Sequence, residues 1–103
     1  DGGYRQRTRK NVEDSDGTLI VNAGGLEGGT LATLEFARQL GKPHFIVQVD
    51  AGVSADVIAS VLAWLRKNAI QTLNVAGPRE SQRPGIYHQT VALLEALDAA
   101  VRG

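Results

Sequence analysis

Three short apolar runs, at 18–22, 44–49 and 72–76, constrain this chain more than any other feature. Each is rich in β-branched residues and too short for an ordinary helix. None alternates polar with apolar residues as a strand with one wet face does. Such runs read as strands buried on both faces, the pattern of a parallel sheet covered by helices. Helix-length segments separate them. Residues 30–40 place Leu31, Leu34, Ala37 and Leu40 at helical spacing, and Gly41 and Pro43 then supply a stop. Residues 54–68 carry a stripe of Val57, Ile58, Val61, Leu62 and Leu65, with Ser54 as N-cap and Asp56 in the first turn. Pro84 suits the first position of a last helix, whose stripe is Thr90, Leu93, Leu94, Leu97 and Val101. A basic segment at 4–14, with Arg5, Arg7, Arg9 and Lys10 around Val12, reads as a helix before the first strand, with too little apolar surface to dock firmly and a solvated charged face.

The order α-β-α-β-α-β-α predicts an α/β fold, a Rossmann-like three-layer sandwich with a small parallel sheet flanked by helices. One domain over residues 1–103 is expected. Three strands are few for a doubly wound sheet, and the chain opens on Asp1-Gly2-Gly3 with no methionine anywhere. The expectation is a fragment of a longer domain, or a sheet completed by another copy, with a homo-oligomer (dimer or higher) covering the exposed edges.

Composition removes several functions. Eleven basic residues balance eleven acidic ones, so neither nucleic acid nor an anionic membrane is an expected partner. Without cysteine there is no disulfide framework, thiolate zinc site or cysteine nucleophile. His44 and His88 do not make a metal cage, and no catalytic Ser/His/Asp set can be assembled. No apolar run approaches the roughly 20 residues of a membrane helix, and no signal peptide is visible. A soluble cytoplasmic protein is expected.

Ligands of open parallel sheets bind beyond the carboxyl ends of the strands, here the loops at 23–29, 50–53 and 77–83. The first, Gly24-Gly25-Leu26-Glu27-Gly28-Gly29-Thr30, has four glycines within six residues between a strand and a helix. Its Gly25, Gly28 and Gly29 allow close backbone approach, and the N–H groups near Gly28, Gly29 and Thr30 attract an anion. The Thr30 hydroxyl either caps the helix or meets a phosphate oxygen. The pattern is neither a P-loop nor a complete Gly-x-Gly-x-x-Gly, and a tight βα turn with no ligand is the competing reading. In the third loop, Gly77-Pro78 is a rigid turn, Arg79 is a phosphate clamp, Ser81 adds a hydrogen bond, and Glu80 accepts from a ribose hydroxyl or orients Arg79. A solvated loop with a weak Arg79–Glu80 pair is the alternative there. Tyr87 is a candidate for stacking on a base or for half-buried packing, and Trp64 for a helix–sheet or subunit contact.

Taken together, Asn11-Val12, the run from Asp14 through Ser15-Asp16-Gly17-Thr18-Leu19-Ile20, Gly28-Gly29-Thr30, Gly41-Lys42-Pro43-His44, Leu73-Asn74-Val75-Ala76-Gly77-Pro78-Arg79-Glu80-Ser81 and Pro84-Gly85-Ile86-Tyr87 resemble one family over nearly the whole chain. It is the "putative molybdenum carrier" family, also described as a circularly permuted YpsA-like branch of the SLOG superfamily. The resemblance implies a Rossmann-like fold and a phosphorylated ligand, a nucleotide or the molybdenum cofactor with its pterin phosphate. It implies ligand-facing Gly28, Gly29 and Thr30 with Gly77, Arg79, Glu80 and Ser81. Two departures stand out. Family members usually begin with a further strand and a Gly-Gly-Gln-Thr-Gly type loop that this sequence lacks. Related nucleotide-hydrolysing LOG enzymes carry Gly-Gly-x-Gly-Thr-x-x-Glu, whereas the third residue after Thr30 is Thr33 and the nearest glutamate is Glu35. The resemblance therefore favours a binding protein over the alternatives, a phosphoribohydrolase-like nucleotide N-glycosidic hydrolase using Glu35 or Glu80 and an inactive proteolysed core.

Overall fold

The structure, a computed structural model, describes residues 2–102; the Tyr4 side chain lies outside the described set. Its elements are α1 (Gly2–Asp14), β1 (Gly17–Asn22), α2 (Gly28–Gln39), β2 (His44–Gln48), α3 (Ala55–Lys67), β3 (Leu73–Ala76) and α4 (Ile86–Arg102). The three strands form one parallel sheet in the order β2-β1-β3, with Thr18 opposite His44 on one side and Asn74 on the other. Leu19 and Val21 face α3 and α4 in a core with Val47, Val49, Val61, Leu93 and Leu97. The alternate residues of β1 turn to the other face, which α2 covers with α1 packed on it. This is the three-layer α/β sandwich that the strand-and-helix alternation implies.

Only β1 is buried along its whole length. β2 and β3 are the edges of the sheet, and β3 is half-buried throughout, so the expectation of burial on both faces holds for one run of the three. In α2 the stripe differs from the expected one. Leu31 is 39% exposed, whereas Ala32, Phe36 and Ala37 are buried against Val12 of α1. The reason is that α1 covers a second side of α2. α1 docks through Val12, wholly buried, and through the Arg5 guanidinium lying 5.1 Å over the Phe36 ring; further along it, Arg9 pairs with Glu13 and Lys10 with Asp14. In α4, Ile86, Leu93 and Leu97 are buried and Val101 is 65% exposed. Pro84 does not open this helix. It lies in a turn closed by Ile86 N–H on the Arg83 carbonyl, with Gly85 at φ +92°.

The local signals elsewhere act as expected. The Ser54 hydroxyl accepts from Val57 N–H, Gly41 ends α2 at φ +65°, and Trp64 stacks on Phe45 of β2 at 5.7 Å. At the amino ends of the strands, Asp16 accepts from the N–H groups of Gln71 and Thr72. Thr72 first and Gln71 second hold its carboxyl below the usual aspartate range. No helix among the described residues is long and apolar enough to cross a membrane.

Candidate functional site

The chain leaves β1 for β2 on one side, then crosses back to β3 on the other. The connections following β1 and β3 therefore diverge onto opposite faces, which makes the gap between these two strands the switch point where open α/β sheets bind ligands. A cavity of about 340 Å³ lies there, lined by Asn22, Gly25, Glu27, Gly28, Thr30, Pro78, Gln82 and Arg83. That volume suits a small ligand.

One wall is the start of α2. Glu27 is its N-cap residue, in extended backbone geometry and without a side-chain cap. The first N–H bonded within the helix is that of Leu31, to the Glu27 carbonyl. The N–H groups of Gly28, Gly29 and Thr30 are thus left for an outside acceptor. Gly28 has φ +55° and is followed by helical residues, a sequence of conformations that turns successive N–H groups toward one concave side. Thr30 is the third helical residue, two residues inside the start expected from sequence, because Gly28 and Gly29 take helical positions despite low propensity. The residue is only 5% exposed, and its hydroxyl has no hydrogen-bond partner among the described residues. Since no fully enclosed side-chain oxygen among the described residues lacks a partner, this hydroxyl opens to the cavity that Thr30 lines. Thr33 differs: its hydroxyl donates to the Gly29 carbonyl at 2.9 Å.

The turn feeding this wall is held from below. Asn22, 1% exposed at the end of β1, donates to the Gly24 and Gly25 carbonyls. Asp50, from the loop after β2, accepts from Gly24 N–H at 2.9 Å.

The opposite wall is the loop after β3. Gly77 packs so closely on the Val21 carbonyl that any Cβ there would overlap it. A tight turn follows, in which Gln82 and Arg83 N–H groups both donate to the Arg79 carbonyl. This turn carries Arg83 into the crevice. Arg83 Nε donates to the Ala23 carbonyl at 2.6 Å, Nη1 to the Gln82 carbonyl, and Nη2 to the Gly25 carbonyl and, at 2.7 Å, to Glu27 Oε1. Arg83 therefore joins the two walls. Arg79 and Ser81 are exposed and outside the lining of the cavity.

Glu80 is spent on the backbone. Its oxygens accept from Gly85 N–H at 2.6 Å and Tyr87 N–H at 3.0 Å. These bonds, Gly85 first, hold its carboxyl below the ordinary glutamate range, with a smaller contribution from His88. A carboxylate favoured by the fold contributes stability that is fully present above the unfolded-chain value, about 4.3, and lost as pH falls through its lowered folded value. Glu80→Gln is therefore expected to flatten the acid limb of a thermal-midpoint-against-pH curve. A curve parallel to that of the parent would show that these bonds do not contribute.

Of the residues expected to face a ligand, Gly25, Gly28, Thr30 and Pro78 line the cavity. Gly29 lies between two lining residues without lining it itself, Gly77 sets the approach of the second wall, and Arg79, Glu80 and Ser81 do not reach it. Asn22, Glu27, Gln82 and Arg83 were not among the expected positions. The signal for Asn22 was a polar residue ending an otherwise apolar strand directly before glycines; for Arg83 there was a second arginine and nothing to rank it above Arg79. Glu35 is exposed on α2 and does not line the cavity, so Glu27 is the carboxylate that does. Tyr87 is 65% exposed and lies with Pro78 on a neighbouring apolar hollow beside β3. Among the described residues, no group of three or more His, Asp or Glu side chains is placed to hold a metal ion.

A family described as the circularly permutated YpsA SLOG family matches residues 1–98. The crystal structure of a "putative molybdenum carrier protein" from Syntrophus aciditrophicus SB is 44% identical to this chain, with a TM-score of 0.87. The match covers 91% of this chain and 60% of that one, so the present chain spans 60% of that protein's length. No curated protein matches.

Proposed function

The chain belongs to the circularly permutated YpsA SLOG family, and from that footing we propose that it holds a small phosphorylated ligand in the crevice between the loops after β1 and β3. The observation that carries this reading is Thr30. A hydroxyl on a residue only 5% exposed, without a partner among the described residues and opening to a cavity, invites an acceptor or donor from a ligand. The free N–H groups of Gly28, Gly29 and Thr30 beside it suit a phosphate. Arg83 adds the positive charge.

Two phosphorylated ligands suit such a cradle, a nucleotide and the molybdenum cofactor with its pterin phosphate. The second extends to this chain what the Syntrophus protein is described as carrying. The donor set offers hydrogen bonds to phosphate oxygens and no cluster of metal-ligating side chains among the described residues. On this reading molybdenum would be held through the organic cofactor's phosphate. The edges at β2 and β3 would be covered by a further strand or by a second copy.

Titration with AMP and with inorganic phosphate tests the reading. A ligand at a hundred times its Kd is expected to stabilise the protein by about 2.7 kcal/mol, read as a rise in thermal midpoint, with no free adenine released. An unchanged midpoint with AMP, inorganic phosphate and molybdenum cofactor would contradict it. Release of adenine would move the protein to the N-glycosidic hydrolases, with Glu27 as the carboxylate in the cavity.

A further inference from the structure

The cavity already contains one anion of its own. The Glu27 carboxylate sits at the N-cap of α2, where the helix end favours negative charge, and it pairs with Arg83 at 2.7 Å. These are the two attractions that a bound phosphate would use. Arg83 does not depend on Glu27 for its position, because three backbone carbonyls, of Ala23, Gly25 and Gln82, hold the guanidinium from both walls. Of its five N–H donors these take three, Glu27 takes a fourth, and one on Nη1 is left without a partner among the described residues. The Glu27 side chain is 71% exposed and makes no cap bond, so it can swing into solvent without leaving a buried group unpaired.

Resting on the phosphate-binding reading of this same cavity, we propose that Glu27 is a displaceable internal anion, which occupies Arg83 until a phosphate takes its place. The exchange makes Glu27 a specificity-determining residue. A singly charged carboxylate ligand brings no more negative charge to Arg83 than Glu27 already supplies. A phosphomonoester, carrying nearly two negative charges and three acceptor oxygens, gains both the freed Nη2 donor and the unpartnered Nη1 donor. The cavity therefore discriminates for phosphomonoesters over carboxylates through competition.

Calorimetric titration of AMP into the parent chain and Glu27→Gln tests this. Removing the competing charge is expected to tighten AMP binding about two- to fivefold, the range that a displaced exposed ion pair allows. In the parent, the Glu27 side-chain carboxyl carbon resonance is expected to move in step with saturation by AMP. This second readout needs no substitution. AMP binding that is equal or weaker in Glu27→Gln, or a Glu27 resonance that stays fixed while AMP binds, would overturn the displacement and leave phosphate binding standing. Absence of AMP binding by both proteins would overturn the phosphate reading itself and the displacement with it.

Discussion

Arg83→Gln is expected to weaken AMP binding by about tenfold to a hundredfold, the loss that follows removal of a charge-assisted hydrogen bond. The effect is large for two reasons. Glutamine removes the positive charge of the cavity, and it cannot reproduce a planar fork that meets acceptors on both walls, the Ala23 and Gly25 carbonyls on one and Gln82 on the other. Arg83→Lys separates these contributions. Lysine restores the charge but not the fork, so it is expected to recover only part of the affinity. Arg79→Gln, in the same loop but outside the lining of the cavity, is expected to bind AMP within about twofold of the parent, since exposed charges contribute little. Calorimetry on the three variants reads all of this. Equal losses from Arg79 and Arg83 would show that net charge, and not the position of Arg83, attracts the ligand.

Gly77→Ala is expected to destabilise the fold by about 1–3 kcal/mol, the usual cost of forcing an atom into a packed site. For a domain of this size that lowers the thermal midpoint by roughly 5–20 °C. The neighbour that the new Cβ would meet is the backbone carbonyl of Val21 in the central strand. A flexible side chain could move aside, but a carbonyl in the middle of the sheet cannot. The loop after β3 has to lift instead, taking Pro78 and Arg83 away from the other wall. Affinity for AMP should therefore fall along with stability. Gly25→Ala is the contrast, since a Cβ there meets open space. A Gly77→Ala midpoint equal to that of the parent would mean that the two loops do not depend on this close approach.

The fold was legible because its signals are local and agree with one another. β-Branched runs, the Ser54 cap and the Gly41 stop each acted where they stand in the chain. The edge positions of β2 and β3 were not legible, since an edge strand of a covered sheet has much the same composition as a central one. The stripe of α2 was misjudged at Leu31 and Phe36 because α1, with one buried apolar residue and an arginine over a ring, covers a side of α2 that pattern alone leaves to solvent. The first loop of the site could be read from its glycines. The third could not be resolved residue by residue. Arg79 and Arg83 differ only in their place along one tight turn, and the carbonyl of Arg79 that closes this turn decides which guanidinium enters the crevice. Glu80 has the right chemistry for a ribose contact, yet two backbone N–H groups at the head of α4 claim it first.

The Gly28–Thr30 end of α2 is expected to receive a phosphate, and diffraction from crystals grown with AMP locates it. Phosphate oxygens are expected within hydrogen-bonding distance of the N–H groups of Gly28, Gly29 and Thr30 and of the Thr30 hydroxyl, with Glu27 swung away from Arg83 and the ligand in its place. AMP bound elsewhere on the protein, with the Glu27–Arg83 pair intact and the Thr30 hydroxyl still without a partner, would contradict it.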